Sequence, residues 1–163
     1  MLTATAPLAP ASSPHRESPR DRRAPGPPTM ALVANRPRVL VVEDDDRLRA
    51  LLAAALRRTG HAVTELADGA SAVDHLMPWL TGLRASPPPD AIVSDIRMPG
   101  WSGLELLTAV RDAGLRTPVI LVTAFGAAET HAAAHRLGAT AVVDKPFAID
   151  ALCQLVRDVL DRK

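Results

Sequence analysis

Short apolar runs alternate with amphipathic stretches along the chain from Pro37 onward. The run Arg38–Val42 (RVLVV) is continuously apolar after its first residue, as is typical of a strand covered on both faces. A helical stripe follows and ends at Gly60, and its apolar members are Leu48, Leu51, Leu52, Ala55 and Leu56. The segment His61–Leu66 then alternates between polar and apolar positions, which predicts a second strand.

The same succession continues to the end of the chain and makes five β-then-α repeats. Pro78 is expected to kink or end the second helix. Strands joined by helical crossovers lie parallel, so the predicted fold class is α/β, a doubly wound five-stranded parallel sheet. In such a sheet the chemistry lies beyond the carboxyl ends of the strands. The remaining predicted strands are Ala91–Ser94, Val119–Thr123 and Ala141–Val143, and the remaining helices are Ala70–Leu83, Leu104–Ala113, Glu129–Leu137 and Ile149–Leu160.

Residues 1–36 differ from the rest of the chain. They hold seven prolines and five arginines against Glu17 and Asp21, and they have no hydrophobic periodicity. We therefore expect a disordered Pro/Arg-rich tail over 1–36 and a single domain over 37–163. An alternative is that Met30 is the natural start of the protein.

The overall composition excludes several classes of protein. A chain of 163 residues with 47% hydrophobic content suits one domain with a tail, and a single cysteine, Cys153, excludes a disulfide scaffold. The longest apolar run is Ala50–Leu56, so no membrane span is expected. A net charge of +1 and 2% aromatic residues give no case for direct DNA binding. We expect a cytoplasmic protein.

Charged and hydroxyl side chains end the predicted strands. Strand one is followed by Glu43-Asp44-Asp45-Asp46, strand three ends in Ser94-Asp95, strand four in Thr123, and strand five leads to Lys145. Acids after a strand are commonly helix caps, and Asp46 needs no further role than the start of a helix. Two carboxylates about 4 Å apart, however, repel by roughly 4 kcal/mol at an effective dielectric of 20. A cluster of this kind needs a divalent cation such as Mg²⁺ and a lysine to balance it.

Lysine usage supports a special role for Lys145. Only two of the 19 basic residues are lysines, and the other, Lys163, is the last residue of the sequence. A compact ammonium fits a crowded phosphate site better than a planar guanidinium does.

Four blocks of the sequence resemble the receiver domains of two-component response regulators. They are VLVVEDDD (39–46), SDIRMPGWSGLELL (94–107), PVILVTAFG (118–126) and LGATAVVDKPF (137–147), and the resemblance extends over 38–162. It implies the flavodoxin-like (βα)5 receiver fold and a phosphoacceptor signalling switch rather than a true enzyme. The phosphodonor would be a histidine kinase or a phosphotransfer protein, and the output would be binding to a downstream effector protein. Because no DNA-binding segment follows the last predicted helix, a stand-alone receiver is expected.

The resemblance also implies a role for each residue of the cluster. Asp95 would accept the phosphoryl group. Lys145 would pair with Asp95 and then with a phosphoryl oxygen, and Thr123 would bind another phosphoryl oxygen. The Lys145–Pro146 peptide bond would be cis. Mg²⁺ would be held by the side chains of Asp44 and Asp95 and by the backbone carbonyl of Arg97, and Glu43 would act on it directly or through water.

The sequence departs from the family pattern at one position near the site. Val142 occupies a place that is often aromatic, so the usual coupling between an inward-moving hydroxyl and an aromatic side chain is missing. Arg97 and Phe125 flank the site at positions that tune the lifetime of the phosphorylated state in the family.

Two other functions remain open from the sequence. One is a pseudo-receiver that binds partners without phosphorylation, which Val142 slightly favours. The other is a haloacid-dehalogenase-like phosphohydrolase, for which Asp44-Asp45-Asp46, Thr123 and Lys145 occur in the right order. The hydrolase would leave Asp95 and the block around it unexplained.

Overall fold

The computed structural model describes residues 36–84, 86–124 and 126–162. Within these residues, five strands alternate with five helices in chain order. The predicted tail, apart from Arg36, lies outside the described residues, as do Met30 and Phe125. The strands are β1 (Arg38–Val42), β2 (Ala62–Leu66), β3 (Ala91–Asp95), β4 (Val119–Thr123) and β5 (Ala141–Asp144), and the helices are α1 (Asp46–Arg58), α2 (Gly69–Leu80), α3 (Gly103–Asp112), α4 (Ala128–Arg136) and α5 (Ile149–Leu160).

All five strands form one parallel sheet in the order β2-β1-β3-β4-β5. This confirms the predicted doubly wound α/β class, and the strand order is that of flavodoxin-like folds. The order reverses between β1 and β3, so a crevice is expected where the loops after these two strands diverge.

The core has one layer on each face of the sheet. Every residue of β3 and β4 is buried, because helices cover both faces of these strands. Leu40 and Val42 of β1 pack with α2, α3 and α4, whereas Val39 and Val41 pack with α1 and α5. The alternation of side chains along one strand therefore joins both layers.

Helix α2 differs from its prediction. It ends at Leu80 rather than Leu83, and it continues for two residues past Pro78, which lies inside the helix. Proline lacks an amide hydrogen and so removes one backbone hydrogen bond. This loss falls in the last turn, where the Thr81 amide still donates to the Met77 carbonyl at 2.9 Å. Most other element boundaries agree with the predicted ones to within one residue, although α1 begins two residues before Leu48.

A buried tryptophan holds the long connection from α2 to β3. The Trp79 indole donates to the Ser86 carbonyl at 2.8 Å, and the Arg84 guanidinium lies 4.6 Å from the centre of the Trp79 rings. Arg38 donates to the Pro88 carbonyl at 2.6 Å. The connection is therefore fixed to the sheet at the end opposite the carboxyl edge. Among the described residues, no helix is long and apolar enough to cross a membrane.

Candidate functional site

The carboxyl edge of the sheet brings together the residues that the sequence singled out. Glu43 and Asp44 directly follow β1, Asp95 is the last residue of β3, Thr123 ends β4, and Lys145 follows β5. Because β1, β3, β4 and β5 are consecutive neighbours in a parallel sheet, their carboxyl ends lie side by side. Sequence positions up to 102 residues apart thus share one crevice.

Lys145 is the centre of this cluster. Its Nζ donates to Asp95 Oδ2 at 2.6 Å and to both carboxylate oxygens of Glu43 at 2.9 Å. The Glu43 and Asp95 side chains are only 2% and 6% exposed, and that of Lys145 is 20% exposed. One ammonium therefore balances two buried carboxylates.

Burial and pairing shift the pKa values within the cluster. Burial raises the pKa of Glu43 above that of a free glutamate, and the hydrogen bond from Lys145 opposes this effect only in part. Burial lowers the pKa of Lys145, but the hydrogen bonds to Asp95 and Glu43 outweigh it, so the net shift is upward. The lysine is thus held in its charged form.

Three carboxylates are arranged as a cation site. Glu43, Asp44 and Asp95 each offer an oxygen, and these oxygens lie within 4.8 Å of one another. Asp44 is exposed, so the site opens to solvent on one side. Hard cations such as Mg²⁺ take carboxylate oxygens together with water and phosphate oxygens, and the residues present fit that requirement. Arg97 lies beside the site, and its backbone amide donates to Asp95 Oδ1 at 2.9 Å.

Thr123 and Lys145 are joined through their backbones. The Lys145 amide donates to the Thr123 carbonyl at 2.7 Å, and Thr123 is fully buried. The Lys145–Pro146 peptide bond is cis, as predicted. These contacts set the two strand ends against each other beside Asp95.

Two supporting residues were not identified from the sequence. Arg49 in α1 donates to the backbone carbonyl of Glu43 at 2.7 Å, and its helical spacing from Asp46 was the available signal. Gly103 begins α3 so close to β3 that a Cβ there would collide with the Asp95 carbonyl. The signal for this helix start was the capping box of Ser102 and Glu105, which the structure contains.

The start of α1 refines one further prediction. Asp45 is the N-cap, and its carboxylate accepts hydrogen bonds from the amides of Arg47 and Leu48 at 2.9 Å. Asp46 lies in the first turn, where its negative charge is favourable for the helix dipole. The last two acids after β1 therefore build the helix, and the first two face the crevice.

Comparison with known proteins identifies relatives of the whole described fold. The response regulator receiver domain family matches residues 39–157. Over 123 residues the chain is 37% identical to the regulatory protein AtoC of Escherichia coli, covering 76% of this chain and 25% of that protein. Over 124 residues it is 38% identical to the transcriptional regulatory protein FixJ of Azorhizobium caulinodans, covering 76% of this chain and 55% of that protein. The chain thus spans about a quarter to a half of these relatives.

Solved receiver structures have the same architecture. The receiver domain of the Francisella response regulator 1452 superimposes with a TM-score of 0.68 at 29% identity, covering 77% of this chain and 98% of that domain. The chemotaxis response regulator CheY4 of Vibrio cholerae gives a TM-score of 0.65 at 28% identity, covering 76% of this chain and 98% of that protein.

Proposed function

The chain belongs to the response regulator receiver domain family, and we propose that it is a phosphoacceptor switch of a two-component phosphorelay, phosphorylated on Asp95. Proteins of this family are phosphoacceptor signalling proteins rather than classical enzymes. The observation that carries the proposal is the Asp95 carboxylate itself. It accepts a hydrogen bond from the Lys145 ammonium at 2.6 Å and has an oxygen within 4.8 Å of oxygens of Glu43 and Asp44, at the carboxyl edge of the sheet.

The proposed reaction uses the Asp95 carboxylate as a nucleophile. A carboxylate oxygen forms a bond to the phosphorus of a phosphohistidine, the phosphorus–nitrogen bond breaks, and the imidazole leaves with the bonding pair and takes up a proton. The product is an acyl phosphate on Asp95. Lys145 then transfers its hydrogen bond from Asp95 to a phosphoryl oxygen, and the Thr123 hydroxyl donates to another. Catalysis of this kind rests on positioning and charge neutralisation.

Mg²⁺ is the cofactor that this proposal includes. Asp44, Asp95 and the carbonyl of Arg97 would hold it, with Glu43 acting directly or through water. When bound, the ion would neutralise charge on the phosphoryl oxygens. Glu43 has a second role, because its two oxygens bind the Lys145 ammonium, which also donates to Asp95.

The proposed partners follow from the family. Receiver domains pair with histidine kinases or phosphotransfer proteins, and such a protein would be the phosphodonor here. We propose that the output is contact with a downstream effector protein through the surface of α4, β5 and α5, and that this domain does not bind DNA itself. The pseudo-receiver and the phosphohydrolase gain no support from the family match or from the relatives.

Labelling with acetyl phosphate tests the proposal. The wild-type protein is expected to take up close to one phosphoryl group per chain, only with Mg²⁺ present, and Asp95→Asn is expected to take up none. Asp112→Asn, which removes an exposed acid of α3, is the matched control and should label like the wild type. Equal labelling of wild type and Asp95→Asn, or continuous release of phosphate from a monoester, would refute the proposal.

Fluorescence of Trp101 gives a second measurement on the same site. Trp101 lies six residues beyond Asp95 and is 42% exposed. With Trp79 replaced by Phe to remove background, the Trp101 emission should change on addition of Mg²⁺ and again on addition of beryllium fluoride as a phosphoryl analogue. Asp95→Asn should weaken both responses.

A further inference from the structure

Asp144 stands where the two phosphate-binding residues are joined. It is the last residue of β5, it pairs in register with Thr123 of β4, and it directly precedes Lys145. The neighbouring hydrogen bond from the Lys145 amide to the Thr123 carbonyl closes the same junction. A displacement of Asp144 would therefore also displace Thr123 and Lys145, the two residues that would contact the phosphoryl group.

The Asp144 carboxylate is bound by α4. Its Oδ1 lies 2.9 Å from His131 Nε2, and because an ionised carboxylate only accepts, the imidazole donates. The same oxygen lies so close to Gly126 that a Cβ on that residue would collide with it. Gly126 belongs to the connection between Thr123 and α4. One carboxylate oxygen thus contacts the β4–α4 connection and α4 while its own residue ends β5.

The residue two positions before Asp144 in β5 cannot make this link. Val142, which stands where the family often has an aromatic residue, packs into the core layer of α2, α3 and α4. It offers no polar group to α4. The hydrogen bond of His131 to Asp144, in contrast, joins a side chain of α4 directly to the end of β5.

We propose that His131 is a positioning residue that acts through Asp144 to hold Thr123 and Lys145 in place for the phosphoryl group. This inference rests on the proposed phosphoacceptor function. Misplacing a reacting group by 1 Å can cost on the order of a hundredfold in rate. The backbone ladder between β4 and β5 stays intact without the pair, so the expected loss is smaller, about three- to tenfold.

The test compares the rate of labelling by acetyl phosphate at saturating Mg²⁺. His131→Ala and Asp144→Ala are each expected to lower the maximal rate by about three- to tenfold. The Mg²⁺ affinity, read from Trp101 fluorescence, should stay within about twofold, because the metal carboxylates lie on other strands. His131→Gln should restore most of the rate, since its amide can donate to Asp144. The control is His135→Ala, which removes an exposed imidazole one turn later in α4 and should label like the wild type.

The double variant decides whether the two residues act as one unit. His131→Ala/Asp144→Ala should label no more slowly than the slower single variant, because each change already breaks the same contact. If the alanine variants fail to fold, Asp144→Asn replaces them and should slow labelling about twofold, since a neutral acceptor makes the weaker bond.

Three results would overturn the inference: single variants that label at the wild-type rate, effects that multiply in the double variant, or His131→Gln as slow as His131→Ala. A wild-type protein that does not label at Asp95 would overturn the proposed function as well. Normal labelling by both the wild type and the His131 variants would overturn this inference alone.

Discussion

Replacing Lys145 by methionine removes the ammonium that balances two buried carboxylates and keeps most of the side chain's apolar length. Breaking a buried ion pair by removing one partner costs about 3–5 kcal/mol in unfolding free energy. The Lys145 side chain is 20% exposed, so water screens part of the interaction and the lower end applies. We therefore expect Lys145→Met to lower the unfolding free energy by about 3 kcal/mol at pH 7 without metal.

Urea unfolding followed by circular dichroism measures this loss. With a slope of about 2 kcal/mol per molar urea, the midpoint should fall by about 1.5 M. Saturating Mg²⁺ should recover part of the loss, because a cation at the carboxylates replaces the missing ammonium. At a free concentration one hundred times its Kd, a ligand adds about 2.7 kcal/mol. At one fixed free Mg²⁺ concentration, the variant should gain more stability than the wild type, because Lys145 competes with the metal in the wild type and raises its Kd.

The pH dependence of the same variant has a defined sign. Burial raises the pKa of Glu43, so this group's contribution to stability is present below the usual glutamate value and is lost as pH rises through the raised value. Lys145→Met lacks the hydrogen bond that lowers the pKa of Glu43, so this pKa is raised further in the variant. The stability that depends on protonated Glu43 is therefore larger in the variant, and it is lost over a pH range that extends higher. The difference in unfolding free energy between variant and wild type should therefore narrow as pH falls from 7 toward the usual pKa of glutamate.

The control for this experiment is an exposed ion pair. Arg58 lies 3.5 Å from Asp150, and their side chains are 72% and 92% exposed. Arg58→Met should change the unfolding free energy by less than about 0.5 kcal/mol. If Lys145→Met behaved like Arg58→Met, or if its stability deficit were the same at pH 7 and at the usual pKa of glutamate, the assignment of a balancing role to Lys145 would be wrong.

Three further predictions concern the supports of the site and its alkaline limit. Gly103→Ala should lower the unfolding free energy by about 1–3 kcal/mol, because the new Cβ must displace the Asp95 carbonyl. Its Mg²⁺ affinity, measured by fluorescence titration, should fall as well. Ser102→Ala should cost about 1 kcal/mol in urea unfolding by removing the capping box with Glu105, with unchanged Mg²⁺ affinity, and Ser102→Thr should retain most of that stability. Since the pKa of Lys145 is raised above 10.5, its contribution is present below that value and is lost as pH rises through the raised one. The wild type, unlike Lys145→Met, should thus lose this contribution in urea titrations above pH 10.5.

Local patterns in the sequence were sufficient for the architecture. Apolar runs and helical stripes depend on residues within one or two turns, so the five repeats could be located before any contact was known. The rule that helical crossovers join parallel strands then predicted the parallel sheet, and a parallel sheet places Asp95, Thr123 and Lys145 at the same edge. The sequence predicted the end of one helix less well. Pro78 was expected to kink or end α2, and the helix ends two residues after it, at Leu80 rather than at the predicted Leu83.

Contacts between distant segments could not be derived in the same way. The spacing of the residues does not indicate that the Lys145 ammonium donates hydrogen bonds to both Glu43 and Asp95. This double contact depends on how far each side chain reaches from the ends of three different strands. The hydrogen bond of His131 to Asp144 joins a helix to a strand and leaves no periodic trace in the sequence. Periodicity therefore located the site, and side-chain geometry determined its electrostatic balance.

The contact between Glu43 and Lys145 spans 102 positions of the chain, and this separation has a consequence for synthesis. At about 5–20 residues per second, the ribosome adds Lys145 roughly 5–20 s after Glu43. During that interval the acidic residues exist without their lysine and without the last strand. A growing chain therefore cannot accept phosphate in the proposed way until nearly the whole domain has been made, so incomplete copies of the protein would be silent in signalling.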